Sequence, residues 1–211
     1  MDLLVGLPKR AFEKADPSPD LEFYAQPRLV THIDAGAIAA VTALYRETVP
    51  AGGIVLDLMS SWISHLPRDV SYSEVIGHGM NASELAANPR LDRRFVQNLN
   101  DDQDLPLADG SVDATLVCVG VQYLQQPVAV FADVRRISRP GAPVIVTFSN
   151  RCFPTKAVAV WHVLDGPGHQ RLVSLYLEQA GFSRIEVGGR TPPGADPLWW
   201  VIGYAGSVSS A

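Results

Sequence analysis

The residues best suited to chemistry stand at the ends of apolar runs. Asp57 closes the run Gly53-Ile-Val-Leu-Asp57, with Ser60 and Ser61 just behind it. The polar cluster Asn98-Leu-Asn-Asp-Asp-Gln-Asp104 follows a run that begins at Arg94, and Cys118, Gln122 and Tyr123 lie in and just after the stretch Ala114 to Val121. Carboxylates in such places can accept hydrogen bonds from hydroxyls and amines, two at a time. His65, Tyr123 and His162 are the side chains able to take a proton from a nucleophile, although residues of these types more often pack or face solvent. None of them is assigned as catalytic by sequence alone, and no metal site is expected.

Short apolar, β-branched runs alternate with helical patterns, which implies a parallel sheet with crossover helices. The spacing predicts a helix over 34–48, capped by Asp34, with Ile38, Val41, Leu44 and Tyr45 on one face. Strands are expected over 53–59, 72–77, 94–99, 114–121, 143–148, 184–187 and 198–204. The run 114–121 belongs mid-sheet, because only a strand buried on both faces is so continuously apolar. A short helix is expected over 83–87, a longer one from Pro127 to Arg139-Pro-Gly, and another over 169–180 with Gly181 as its C-terminal cap. Seven strands result, the last two joined by a short link. Ligands in such open sheets bind at the carboxyl ends of the strands.

Composition narrows the function. The 211 residues are 47% hydrophobic, enough for one sizeable core, and a single domain over 1–211 is expected, with 1–33 as an N-terminal lid or extension and 34–211 as the α/β core. A net charge of −5 and a pI near 5.5 argue against a nucleic-acid partner. Two cysteines, Cys118 and Cys152, exclude a disulfide scaffold. No stretch has the length of a membrane span and the N-terminal residues do not have the order of a secretory signal, so no membrane partner and a cytoplasmic location are expected.

The segment Asp104-Leu-Pro-Leu-Ala-Asp-Gly-Ser-Val-Asp113, followed by ATLVCVGVQYL and FADVRRISRPGAPVIVTFSN, resembles the middle of small class I S-adenosylmethionine-dependent methyltransferases. Each piece also has a plain structural use, as turn, strand or helix end; their joint order carries the resemblance. It implies a Rossmann-like, doubly wound seven-stranded sheet, mostly parallel with the last strand antiparallel. It also implies S-adenosyl-L-methionine as cofactor, methyl transfer to a small molecule, and cofactor-binding roles for Asp57, Met59, Ser60, Ser61, Asn81, Asp101, Asp102, Cys118, Val119 and Tyr123.

Two departures from the family pattern stand out. Met59, Ser61 and Ile63 occupy places where the family has glycines, so Met59 and Trp62 must turn away or reshape the pocket, while Ser60 and Ser61 offer hydroxyls and backbone N–H groups. Gly79 stands where the family has an acid that grips the ribose hydroxyls, with Asn81 and Glu84 nearby. These departures keep a second reading open, a methyltransferase-like binding or regulatory module without catalysis. A nucleotide-binding oxidoreductase is disfavoured, since the first loop lacks the dinucleotide glycine pattern. The stretches Phe23 to Asp34 and Ser149 to Lys156, the latter followed by Trp161 and His162, mix aromatic, basic and amide groups. They suit either a small polar or anionic substrate or a hydrophobic cover.

Overall fold

The computed structural model of the protein describes residues 7–206, so the first six positions of the expected lid lie outside the described residues. Seven strands form one sheet in the order β3-β2-β1-β4-β5-β7-β6. They are β1 (Ile54–Leu58), β2 (Glu74–Gly79), β3 (Arg93–Val96), β4 (Ala114–Cys118), β5 (Pro143–Phe148), β6 (Phe182–Arg190) and β7 (Leu198–Ala205). Neighbours among β1 to β5 pair in parallel, whereas β7 runs antiparallel to both β5 and β6. The expected α/β Rossmann-like sheet with an antiparallel last strand is what the chain adopts.

Among the described residues six α-helices surround the sheet: α1 (Asp20–Phe23), α2 (Ala35–Thr48), α3 (Ala82–Ala87), α4 (Pro127–Ile137), α5 (Ala159–His162) and α6 (Gly166–Gln179). Alternate strand residues point to opposite faces, so Val55, Leu116 and Ile145 pack with Val41 and Leu44 of α2, while Leu56, Val117 and Val144 pack with α4 and α6. Every residue of β5 is buried, as a strand covered on both faces requires.

Caps set the helix ends. Asp34 accepts the Ala37 N–H at 2.9 Å to open α2, as its position predicts. α6 begins three residues earlier than expected because Asp165 accepts the Gly168 N–H at 2.8 Å and Pro167 sits in the first turn, where its missing N–H costs nothing. β4 stops at Cys118 instead of Val121, since Val119 takes φ 47° and a 3-10 turn follows over Val121–Tyr123. β3 likewise ends at Val96, ahead of the Asn98 turn. β6 is longer than expected because its pairing with β7 extends to Arg190.

Sheet order reverses at β1, which lies between β2 and β4. The carboxyl ends of those strands therefore diverge from their crossovers and leave a crevice.

Candidate functional site

A cavity of about 350 Å³ fills that crevice, within the range of small-molecule sites. Its floor is the turn after β1. Asp57 is buried, and its carboxylate accepts hydrogen bonds from the hydroxyls of Ser60, at 2.6 Å, and Ser64. Burial lifts its pKa to about 6, against the pull of those two hydroxyls.

Met59 stands in the left-handed region at φ 59°, where a glycine would be at ease. The turn is held there by β2. The Met59 N–H donates to Nδ1 of buried His78 at 3.1 Å, the Ser60 N–H donates to the His78 carbonyl at 2.6 Å, and Nε2 of His78 meets the Gln97 carbonyl at 3.0 Å. Nδ1 accepts, so Nε2 carries the proton. Burial pushes His78 down to about pKa 4, which keeps it in this neutral form.

The same turn explains the two departures in the sequence. A Cβ added at Gly120 would lie 2.9 Å from the Met59 Cβ and 3.1 Å from its sulfur. A Cβ at Gly79 would lie 2.5 Å from the Ser60 carbonyl oxygen. Met59 thus lies over Gly120, and the backbone after β1 leans on Gly79 where an acidic side chain would have to stand. Both contacts are made by the one turn that follows β1.

A strap from the N-terminal region crosses the cavity. Asn81 donates to the carbonyls of Tyr24 and Ala25 at 2.9 and 3.1 Å, Glu84 accepts the Arg28 N–H at 2.6 Å, and Trp62 Nε1 donates to the Val30 carbonyl at 2.9 Å. Glu84 also accepts the Ser61 hydroxyl at 2.6 Å. Behind the strap, fully buried Lys156 donates to the Ser18 carbonyl at 2.6 Å and lies within 3.4 Å of the Asp20 carboxylate, which Lys14 approaches at 2.5 Å. The Arg28 guanidinium packs over Phe23, 4.5 Å from its ring centre, and Phe153, at 5.4 Å.

Of the residues singled out in the sequence, Asp57, Met59, Ser60, Ser61, Asn81, Cys118, Val119 and Tyr123 line this cavity. Asp101 and Asp102 do not; the cavity reaches Asn98, Leu99 and Asn100 of their turn and stops there, and Asp101 accepts from the Asn98 amide at 2.8 Å. Asn81 lines the cavity with its side chain spent on the α3 cap and the strap. Cys118 is half-buried, and desolvation pushes its thiol up to about 12, so it stays protonated.

Among the candidate bases, His162 lies away from the cavity on α5. Burial pushes the Tyr123 phenol up to about 12, and its oxygen already accepts the Phe153 N–H at 2.8 Å. His65 lines the cavity with Nδ1 unpartnered, and burial pushes it down to about 4, leaving a neutral ring with a free lone pair. Arg28, His32, Tyr45 and Arg151 also line the cavity, outside the expected cofactor set. Arg28, His32 and Arg151 fall in the two mixed stretches noted in the sequence. Tyr45 belongs to the apolar face of α2, which gave no such signal; its buried hydroxyl finds no partner in hydrogen-bonding geometry.

Residues 60–146 match the family described as "Methyltransferase domain". A curated relative, malonyl-[acyl-carrier protein] O-methyltransferase of Hahella chejuensis, is 26% identical over 158 residues, 72% of this chain and 55% of that one. The middle of this chain is thus similar to a methyltransferase domain. The chain spans about half the length of that curated relative.

Solved structures share the fold. An S-adenosylmethionine-dependent methyltransferase of Aquifex aeolicus superposes with TM-score 0.57 at 18% identity, covering 90% of this chain and 98% of that one. Phosphoethanolamine N-methyltransferase 2 of Haemonchus contortus, in complex with S-adenosyl-L-methionine, gives TM-score 0.59 at 13% identity over 82% of this chain and 53% of that one. A chain of the Haloferax volcanii complex between the Trm112 methyltransferase activator and a methyltransferase gives 0.60 at 15% identity, over 82% and 91%.

The family's cofactor can be tested against these walls. An elongated adenosyl ligand finds a cavity of about 350 Å³ at the strand tips, a carboxylate at the end of β1, and an unpartnered buried hydroxyl on Tyr45. It finds no carboxylate at the end of β2, where the Ser60 backbone takes the space. The residues fit the group along the β1 and β4 walls and leave the ribose hydroxyls to other partners.

Proposed function

We propose that the protein is an S-adenosylmethionine-dependent methyltransferase acting on a small-molecule acceptor, with residues 16–32 as a lid over an α/β core. The observation that carries this reading is the enclosed cavity at the carboxyl ends of β1, β2 and β4, walled by Asp57 and by Cys118 to Gly120. When bound, the cofactor supplies an electrophilic methyl group on a sulfonium. The chain's own contribution is alignment and exclusion of water, which is most of what such a transfer asks of a protein.

Asp57 favours a cationic ligand end once ionised, Leu99 and Asn100 border the far end, and the strap closes the top. The unpartnered Nδ1 of His65 at the cavity wall supports it as the candidate to accept a proton where the acceptor's nucleophile carries one. The curated relative, 26% identical, is a malonyl-[acyl-carrier protein] O-methyltransferase, which supports an oxygen nucleophile on the acceptor.

A specific observation favours a second reading. Met59 over Gly120 and the Ser60 carbonyl against Gly79 narrow the place where the cofactor's middle would lie, as in a binding module that no longer catalyses. Calorimetry with S-adenosylmethionine and S-adenosylhomocysteine, with NADH as control, separates the two. Saturable binding of the first two supports the enzyme, and heat-free injections of all three overturn it.

A further inference from the structure

Arg151 follows β5 and lines the mouth of the cavity beside Cys152 and Phe153. Its Nε donates to Asp196 at 2.9 Å, and Asp196 is itself buried. Asp196 is fixed in turn by a reciprocal pair of bonds with Asp34 at the start of α2: the Asp34 N–H donates to the Asp196 carboxylate at 3.2 Å, and the Asp196 N–H donates to the Asp34 carboxylate at 2.5 Å. The guanidinium is therefore anchored through one nitrogen. Its two Nη groups have no partner among the described residues, so four N–H donors of a rigid fork remain open.

The rest of the cavity offers this fork nothing to bind. The acidic side chains that line it are Asp57 and Glu84, and each already accepts two hydrogen bonds from its surroundings. The other lining cation, Arg28, is turned onto aromatic rings and donates to the Phe23 carbonyl at 2.9 Å. A planar fork held by a buried carboxylate at the cavity wall matches an oxyanion with two coplanar or tetrahedral oxygens.

We infer that Arg151 is the acceptor-binding residue of this site and that the acceptor is a small anion, a carboxylate or a phosphate. This rests on the methyltransferase reading only in calling the anion the acceptor; the anion site itself stands on Arg151, Asp196 and Asp34. Asp196 acts as a positioning residue, since it touches the fork and not the ligand.

The test titrates the full chain, with and without S-adenosylhomocysteine, with benzoate, inorganic phosphate and neutral benzamide at fixed ionic strength. Benzoate or phosphate is expected to bind saturably, and whichever binds more tightly identifies the oxyanion. Arg151→Gln should weaken that binding about tenfold or more, Arg151→Lys should recover only part of it, and Asp196→Asn should give an intermediate loss, because bidentate charge-assisted bonds depend on the fork's orientation. Benzamide affinity should not respond to any of the three. Absence of saturable binding by both anions, or equal affinity in wild type and Arg151→Gln, overturns the inference. Loss of anion binding in Arg151→Gln together with no binding of S-adenosylhomocysteine to wild type would sink the methyltransferase reading and leave the anion site standing.

Discussion

Replacing Asp57 with asparagine isolates the energetic cost of keeping a carboxylate at the cavity floor. In the unfolded chain this carboxyl titrates near 3.8, and burial raises it to about 6 in the fold. Between those values the folded state holds the proton that the unfolded chain has lost, so this group's contribution to stability is full below about pH 4 and falls as the pH rises through 6. A gap of about two pKa units corresponds to roughly 3 kcal/mol. The amide oxygen of Asp57→Asn can still accept from Ser60 and Ser64, and the variant does not ionise. Its stability relative to wild type should therefore climb with pH, by up to about 3 kcal/mol between pH 4 and pH 7.5.

His65 and His78, both depressed to about 4, titrate over the same window with the opposite sign, stabilising the fold as they lose their protons. They are common to both proteins and cancel in the difference. Urea unfolding followed by tryptophan fluorescence at four pH values supplies the measurement. A difference between the two proteins that stays flat from pH 4 to 7.5 would refute the account of Asp57 as a strained, buried acid.

Restoring the family's acid with Gly79→Asp should not rescue ribose binding, because its Cβ would meet the Ser60 carbonyl at 2.5 Å; a loss of about 1–3 kcal/mol is expected, read as a fall in Tm by differential scanning fluorimetry. Asp57→Ala should weaken S-adenosylhomocysteine binding about tenfold, whereas Asp101→Ala, outside the cavity, should change it less than about threefold; calorimetry at pH 7.5 compares them. Asn81→Ala removes both the α3 cap, a loss of about 1 kcal/mol, and the two bonds to Tyr24 and Ala25. Trypsin should then cut after Arg28 several times faster than in wild type, and unchanged cleavage would mean that the strap is held elsewhere.

The strands were legible because buried parallel strands must be apolar throughout: Pro143–Phe148 reads the same in sequence and structure. Helix 166–179 was half hidden, since Gly-Pro-Gly suggests a loop until Asp165 is recognised as its cap. Nothing in a valine announces the positive φ that ends β4 at Val119. In the site, Asp57 was legible as an acid closing a strand. The duties of Asn81 and Glu84 were not, because their partners lie 56 and 57 positions away and no local pattern encodes such distances. Arg151 looked like one basic residue in a mixed loop; the anchoring that makes it a fork comes from Asp196, 45 positions on.

The strap is tied to the fold from two distances in sequence: Asn81 and Glu84 lie 56 and 57 positions from their strap partners, and Lys156 lies much further on. Ser18 and Asp16 are bound by Lys156, 138 and 140 positions downstream. At about 5–20 residues per second of synthesis, Phe23, Tyr24 and the acids beside them wait roughly 7–30 s before that lysine exists to receive them. During synthesis the contacts to Trp62, Asn81 and Glu84 can therefore form well before the Lys156 anchor exists, so the two ends of the strap are secured at different times.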